Sequence, residues 1–381
     1  MRRYFATCAA GLEPVLAAEL QQLGATHIQP GRGGVQFCGD RLLLYAANLW
    51  LRSAIRVLEP ILEAEVDSYE ALYAAVRQVD WRDYLNVEQT LAVDAHVRDS
   101  PLTHSQYAAR RVKDAICDQF RERLGRRPSV DPDRPMLGLN LHVRGRQVIL
   151  SRDSSWVSLH KRGYRPIQTR APLNEALAAG LLLHLRWQGE TPLVDLMCGS
   201  GTVCIEGAWL ALHRAPGLTR KWFGFQGWLD FDKATWAMLR SEARRRLRPR
   251  LPFPIWGSDC HSPSVALAVR NAHMAGVGSL LHFYVRDLRA SRPPAHLPPG
   301  LILCNPPYGE RLDVDPGQIR SLYAALGQTV QRHWPGWRLA VFAAGSTWLS
   351  SIGLPVVRTW SLYNGPIRCT LAEFAPAGKN N

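Results

Sequence analysis

From residue 171 to 374 short apolar runs alternate with stretches of helical length, and the strand candidates are 192–196, 254–258, 281–285, 300–304 and 337–343. Strands separated by helices return by crossover and pair parallel, so this alternation restricts the region to a doubly wound α/β sheet. The end breaks the pattern. Residues 356–362 and 367–374 flank Asn364-Gly365, a turn signal for an antiparallel hairpin that closes the sheet.

The residues before this region read as smaller α+β structure. Over 1–60 a strand at 4–7 and a helix at 13–23 precede a strand at 35–37 and a helix at 42–51. Over 61–160 a helix at 68–78, a strand at 90–97 and an Arg-rich helix at 104–124 precede strands at 137–143 and 147–152. Gly31-Arg32-Gly33-Gly34 is a tight basic turn that turn chemistry explains. Residues 157–170 read as an exposed linker. With 381 residues, several cores are expected. We divide the chain at 1–60, 61–160 and 171–375.

Charge narrows the partners. The net charge is +14, and of 46 basic residues only five are lysines. Arginine's planar fork pairs with phosphate and stacks on bases. The part before residue 171 and the part after it are both net positive, as expected if one polyanion touches both. The eight cysteines form neither a C-x-x-C pair nor a His-Cys cluster, so no structural metal and no disulfide framework is expected. No apolar run approaches the roughly 18–20 residues of a membrane span. Glu13 and Glu19 interrupt the only candidate leader, so we expect a cytoplasmic protein.

Three motifs carry chemistry. In the first, an apolar strand runs through Asp195-Leu196-Met197-Cys198 into Gly199-Ser200-Gly201-Thr202 and then a helix. The glycines let the backbone approach a ligand and free N–H groups at the helix start. The pattern is neither G-x-G-x-x-G nor a P-loop. An acid before the glycines repels phosphate and suits the ammonium of an amino-acid-bearing cofactor. The second is Asn305-Pro306-Pro307-Tyr308 at a strand end. The Asn305 amide oxygen and the Pro306 carbonyl can accept both hydrogens of a conjugated –NH₂, tilting its nitrogen toward tetrahedral geometry, while Tyr308 offers a face for base stacking. The third is a pair of acidic strand ends, Asp259 and Asp287, facing the same crevice of a doubly wound sheet.

Together with Arg214-Ala215-Pro216-Gly217, Arg110-Arg111-Val112-Lys113 and Leu159-His160-Lys161-Arg162-Gly163-Tyr164-Arg165, these motifs resemble the THUMP-domain RNA guanine-N2 methyltransferases, nearest the bacterial large-subunit ribosomal RNA enzymes. The resemblance implies a ferredoxin-like subdomain, then THUMP, then a Rossmann-like class I methyltransferase domain whose parallel sheet ends in a hairpin. It implies S-adenosylmethionine as cofactor, lined by Asp195, Met197, Gly199, Ser200, Gly201, Thr202 and Asn305. Asp259 would bind its ribose and Asp287 its adenine, with Asn305 to Tyr308 on the target amine. It implies RNA contacts from Arg110, Arg111, Lys113, Lys161, Arg162 and Arg165. The expected partner is RNA, ribosomal first and tRNA second, with no membrane and no obligate protein partner.

Two departures qualify it. Some relatives carry a second methyltransferase domain, so one reaction is expected here. Asp259 also lies far beyond the spacing of a dinucleotide fold, so an insertion near 209–253 must intervene. That insertion holds Arg240, Arg244, Arg245, Arg246, Arg248 and Arg250 beside Trp222, Phe223, Phe225, Trp228 and Trp236, which read as a solvated basic helix over an aromatic core or as an RNA surface. The chemistry also admits adenine-N6 methylation. Cys304 precedes Asn305 inside the strand, so cysteine-dependent methylation of a pyrimidine carbon is discounted.

Overall fold

The computed structural model describes residues 1–165, 173–307, 315–345 and 347–376. They fall into two compact units, one of residues 1–7, 16–159 and 220–241, the other of 8–15, 160–219 and the residues from 242 onward.

The first unit is built on β1 (Arg2–Cys8), β2 (Thr26–Gly31), β3 (Gly34–Gly39), β4 (Ala54–Glu65), β5 (Thr90–Arg98), β6 (Ser129–Val130), β7 (Leu137–Arg144) and β8 (Gln147–Asp153). They form one sheet in the order β2-β3-β1-β4-β8-β7-β5-β6. Alternation decides its faces. Tyr4 and Ala6 of β1, Val35 and Phe37 of β3, and Leu139, Leu141 and Val143 of β7 are fully buried, while Phe5, Gln36 and His142 are partly or largely exposed. Helix α1 (Glu13–Gln22) joins β1 to β2, and helix α2 (Arg41–Trp50) packs on β3 and β4. Helix α3 (Tyr69–Arg77) packs on α4 (Ser105–Leu124), which lies on β5. Asp40 starts α2 by accepting the Leu43 N–H at 2.8 Å, which satisfies one of the donors a helix start leaves free.

The sequence pattern anticipates most of these elements and misses β2, β4 and the short β6; β4 is the longest of the three. Its Pro60 interrupts the alternation, and the register of β4 on β8 shifts between Pro60 and Leu62, where a bulge tolerates a residue without an N–H. The division expected at residue 60 therefore falls inside a continuous strand. Residues 220–241 join this unit. Phe225 stacks on Tyr45 at 4.4 Å, Trp236 meets Phe225 edge-on at 5.1 Å, and the Arg152 guanidinium lies 3.8 Å over Trp228. Phe223, Phe225, Trp228 and Trp236 of the insertion are core, and Trp222 is half-buried. The basic end of α7 (Lys233–Arg245) is solvated, with Arg245 and Arg246 paired to Glu242.

In the second unit α5 (Glu175–His184) precedes β9 (Leu193–Asp195), α6 (Thr202–Ala211), β10 (Ile255–Asp259), α8 (Ser262–Met274), β11 (Leu281–Val285) and β12 (Leu301–Cys304). Then follow α9 (Pro316–His333), β13 (Arg338–Ala344) and the hairpin β14 (Val356–Asn364) and β15 (Ile367–Phe374). The order β11-β10-β9-β12-β13-β15-β14 is parallel through β13 and antiparallel beyond it, the mostly parallel α/β sheet with closing hairpin expected from the sequence. Asn364 pairs with Ile367, so the turn is Gly365-Pro366, one position past the dipeptide that signals it, and Gly365 takes φ 63°.

The expected linker is corrected by the structure. Residues 160–165 belong to the second unit, and Arg162 and Tyr164 are buried at 2% and 1% exposure. Arg162 pairs with Glu206 of α6 at 3.4 Å, and the Tyr164 hydroxyl donates to the same carboxylate at 2.9 Å. The charged stretch looks solvated because its partner, Glu206, sits inside an otherwise apolar helix. Residues 166–170 lie outside the described residues. Removing one member of a buried pair strands the other's charge, so Arg162→Ala should lower the unfolding free energy by about 3–5 kcal/mol in denaturant titrations. A loss under about 1 kcal/mol would contradict this burial.

Candidate functional site

The parallel order places the ends of β9, β10 and β12 side by side. Gly257 of β10 pairs with Asp195, and Ile302 of β12 pairs with Val194. The turn after β9 is then pinned from several directions. Asp195 is 2% exposed and accepts the Met197 N–H at 3.1 Å. Cys198 N–H donates to the Ser258 carbonyl at 2.9 Å and Gly201 N–H to the Cys198 carbonyl at 2.8 Å. Gly199 and Gly201 take φ of 50° and 80°. A side chain on Gly201 would stand 3.0 Å from Ala268 and 3.1 Å from Phe283, whereas one on Gly199 would meet nothing within 4 Å. Gly201 is thus required by packing, and Gly199 faces open space where a ligand can approach the backbone.

Asp259 ends β10, accepts the Gly199 N–H at 3.0 Å through Oδ2, and takes the His261 N–H at 2.9 Å through Oδ1. Asp195 and Asp259 are therefore held against the same glycine turn. Burial pushes the Asp195 carboxyl up to about 7; the Met197 N–H opposes this and the charge of Asp259 adds to it. Asp287 lies past β11, exposed, capping a short 3₁₀ turn through the Arg289 N–H at 2.8 Å and pairing with the Arg289 guanidinium at 3.1 Å. The two acidic strand ends are unequal: Asp259 is built into the turn, and Asp287 is a surface residue.

Asn305 follows β12 directly. Its Oδ1 is buried and has no hydrogen-bond partner among the described residues. A buried amide oxygen without a donor is costly, and at a strand end next to an acid-lined turn it is an acceptor left for an incoming N–H. Pro306 is buried and Pro307 half-buried. Tyr308 lies outside the described residues. The Cys304 thiol is fully buried and hydrogen-bonds the Asp195 carboxyl, and burial raises it well above the usual thiol range. A thiol so placed is no nucleophile.

Two supports of the turn went unread in the sequence. Asn271 of α8 is fully buried, and its Nδ2 donates to the Ser200 carbonyl at 3.0 Å. The available signal was a polar residue at helical spacing among Val265, Ala268 and Ala272. Arg165 bonds the Thr202 hydroxyl at 3.2 Å and the Leu173 carbonyl at 3.0 Å, with its guanidinium 2.7 Å from Glu175. This places Arg165 beneath the turn and corrects its expected contact with RNA, as burial does for Arg162. Lys161 is exposed. On α4, Arg110 is exposed, Arg111 lies 4.5 Å over the Tyr73 ring, and Lys113 sits 2.8 Å from Asp114. Of the six expected RNA contacts, Arg110 and Lys161 are the most open to a polyanion.

A parallel sheet with a terminal antiparallel hairpin, and a glycine turn held between the buried Asp195 and the half-buried Asp259 at its carboxyl edge, define an S-adenosylmethionine-dependent methyltransferase fold. Residues 162–373 match the family described as RMKL-like, methyltransferase domain, and the chain belongs to it. Residues 3–58 match the RlmL ferredoxin-like domain and 66–153 the THUMP domain, as the family resemblance implied. Over 98% of its length the chain is 44% identical to the ribosomal RNA large subunit methyltransferase K/L of Syntrophotalea carbinolica, and it spans about half (53%) of that protein. The crystal structure of SMU.472, a methyltransferase complexed with S-adenosylhomocysteine, superposes with TM-score 0.90 at 30% identity, covering 100% of this chain and 99% of that one. A Listeria monocytogenes protein named for N6-adenine-specific DNA methylation superposes with TM-score 0.87 at 30% identity, covering 98% and 96%.

A carboxyl half-protonated near pH 7 titrates against any cation placed beside it. If the ammonium of S-adenosylmethionine meets Asp195, it favours the ionised form, so affinity rises with pH. Calorimetry should show about a tenfold gain between pH 5.5 and 7, and Asp195→Asn should weaken binding and flatten the profile. Wild-type affinity independent of pH would place the ammonium elsewhere.

Proposed function

We propose that the chain transfers the methyl of S-adenosylmethionine to the N2 amine of guanine in large-subunit ribosomal RNA. The observation that carries this reading is the orphaned Asn305 Oδ1 at the end of β12, beside the acid-lined turn that ends β9. The residues fit the cofactor: a buried acid for its ammonium at Asp195, an open glycine face at Gly199, and Asp259 at the neighbouring strand end for ribose hydroxyls. Met197, Ser200, Gly201 and Thr202 complete the turn, and Asp287 is the candidate for the adenine amine. When bound, S-adenosylmethionine supplies a methyl on a sulfonium, a group displaced without acid assistance.

The protein's part is orientation. Asn305 Oδ1 and the Pro306 carbonyl accept the two N–H groups of the amine, which draws the nitrogen lone pair out of conjugation and aims it at the methyl. Positive charge developing on nitrogen is stabilised by these same acceptors, and the proton leaves after transfer. A base inside a helix cannot reach Asn305, so the substrate presents an unpaired or extruded guanine.

The choice of RNA is supported by the THUMP domain and the basic charge, and that of large-subunit ribosomal RNA by the name of the Syntrophotalea relative. One observation favours a second reading, adenine-N6 methylation, since the Listeria structure carries that name and Asn-Pro-Pro-Tyr suits any exocyclic amine. Asn305→Ala should lower kcat by about 100- to 1,000-fold while leaving cofactor affinity largely intact. Nucleoside mass spectrometry of ribosomal RNA and tRNA from wild-type and deletion cells should show N2-methylguanosine falling in ribosomal RNA. A fall in tRNA alone would move the substrate, and a fall in N6-methyladenosine would overturn the base.

A further inference from the structure

Two helices of the second unit, α5 and α6, end at the amino edge of its parallel sheet, opposite the strand ends that carry Asp195, Asp259 and Asn305. Both end alike. Past α5 the Arg186 N–H donates to the Leu183 carbonyl and the Trp187 N–H to the Leu182 carbonyl, each at 3.0 Å. Past α6 the His213 N–H donates to the Leu210 carbonyl at 3.1 Å and the Arg214 N–H to that of Trp209 at 2.9 Å. This closing turn puts one residue in the left-handed region, where glycine is the ordinary choice. Gly125 fills it after α4 and Gly276 after α8. After α5 and α6 it is taken by Arg186 and His213, at φ 55° and 54°. Two side chains are thus kept where the backbone favours none.

Arg186 and His213 line one cavity of about 430 Å³, together with Gln188, Glu190 and Arg248. All of these are exposed. Arg248 brings the basic run of the insertion, which the transfer site does not use, to this edge. Its guanidinium donates to the Ala211 carbonyl at 3.3 Å, and a cation there complements the negative end of α6. That role accounts for Arg248 and leaves Arg186 unexplained. Arg186 has no ion-pair partner among the described residues, and the same holds for Arg244 and Arg250, exposed in the stretch that carries Arg248. The acid that lines the cavity, Glu190, accepts the Gln188 N–H at 2.7 Å within its own loop. Guanidiniums around a concave surface, with an imidazole and an amide between them, offer the forked donors that phosphate oxygens accept.

We propose that this edge of the second unit is a phosphate site, in which Arg186, His213 and Arg248 hold the oxygens. The backbone of RNA and a free polyphosphate both present such oxygens. RNA is the expected source, since the net charge and the THUMP domain already mark it as the partner. A contact to backbone phosphate across the sheet from Asn305 adds affinity and register without choosing the base. The site shares no residue with the transfer site, so only its filling by RNA rests on the proposed reaction.

Arg186→Gly and His213→Gly test it, because each installs the residue that the turn favours and removes the side chain without loss of fold. Their melting temperatures should equal or exceed that of the wild type. Fluorescence anisotropy with a labelled twenty-base-pair RNA duplex should show about fivefold weaker binding by each, and a salt slope shallower by about one for Arg186→Gly. Affinity for S-adenosylmethionine should stay unchanged. Calorimetry with inorganic triphosphate separates the two sources: if the variants lose triphosphate and bind the duplex as before, the site stands and its ligand is a free polyphosphate. If neither probe binds the variants more weakly, or if both variants melt several degrees lower than the wild type, the phosphate site is overturned and the proposed reaction is untouched. If the wild-type protein methylates no RNA, that reaction falls while the loss of phosphate binding can still be measured.

Discussion

Parallel pairing of β9 with both β10 and β12 is the constraint on which the rest depends. It makes β9 the strand from which the chain winds outward in two directions, and such a switch point leaves a crevice at the carboxyl edge of the sheet. Asp195, Asp259 and Asn305 are far apart in sequence. They become neighbours because each sits at the carboxyl end of one of these three strands. A methyl donor and an amine acceptor can then be held a short distance apart by residues that need no mobility of their own.

The same arrangement sets the electrostatics. Two carboxylates at one turn repel, and burial at the strand end already disfavours charge on Asp195. The turn compensates through backbone donors, Met197 N–H on Asp195 and Gly199 N–H on Asp259. What stays unbalanced is an acid in need of a cation and, one strand away, an acceptor in need of a donor. Both deficits are ones that a sulfonium amino-acid cofactor and an exocyclic amine would fill.

Much of this could be read from the residues alone. The five parallel strands are marked by apolar runs bounded by turn residues, and the hairpin by its Asn-Gly, because local propensity and tertiary pairing agree there. The glycine turn and the Asn305 strand end were legible for the same reason. Other features depend on partners distant in the chain. β4 is hidden by Pro60, whose missing N–H is tolerated at a bulge that only the pairing with β8 reveals. Arg162 and Arg165 look solvated until Glu206 and Glu175 are brought against them. Asn271 reads as one polar residue on a helix until the Ser200 carbonyl is found above it.

The central claim is that the acceptor at Asn305 serves a guanine amine. It is tested most directly by incubating the purified chain with S-adenosylmethionine labelled in its methyl and unmodified large-subunit ribosomal RNA, then separating the nucleosides of the digested product. The account predicts label in N2-methylguanosine, and none when inosine, which lacks the N2 amine, replaces guanosine in the transcript. Label in N6-methyladenosine, or label that persists in the inosine transcript, would contradict it.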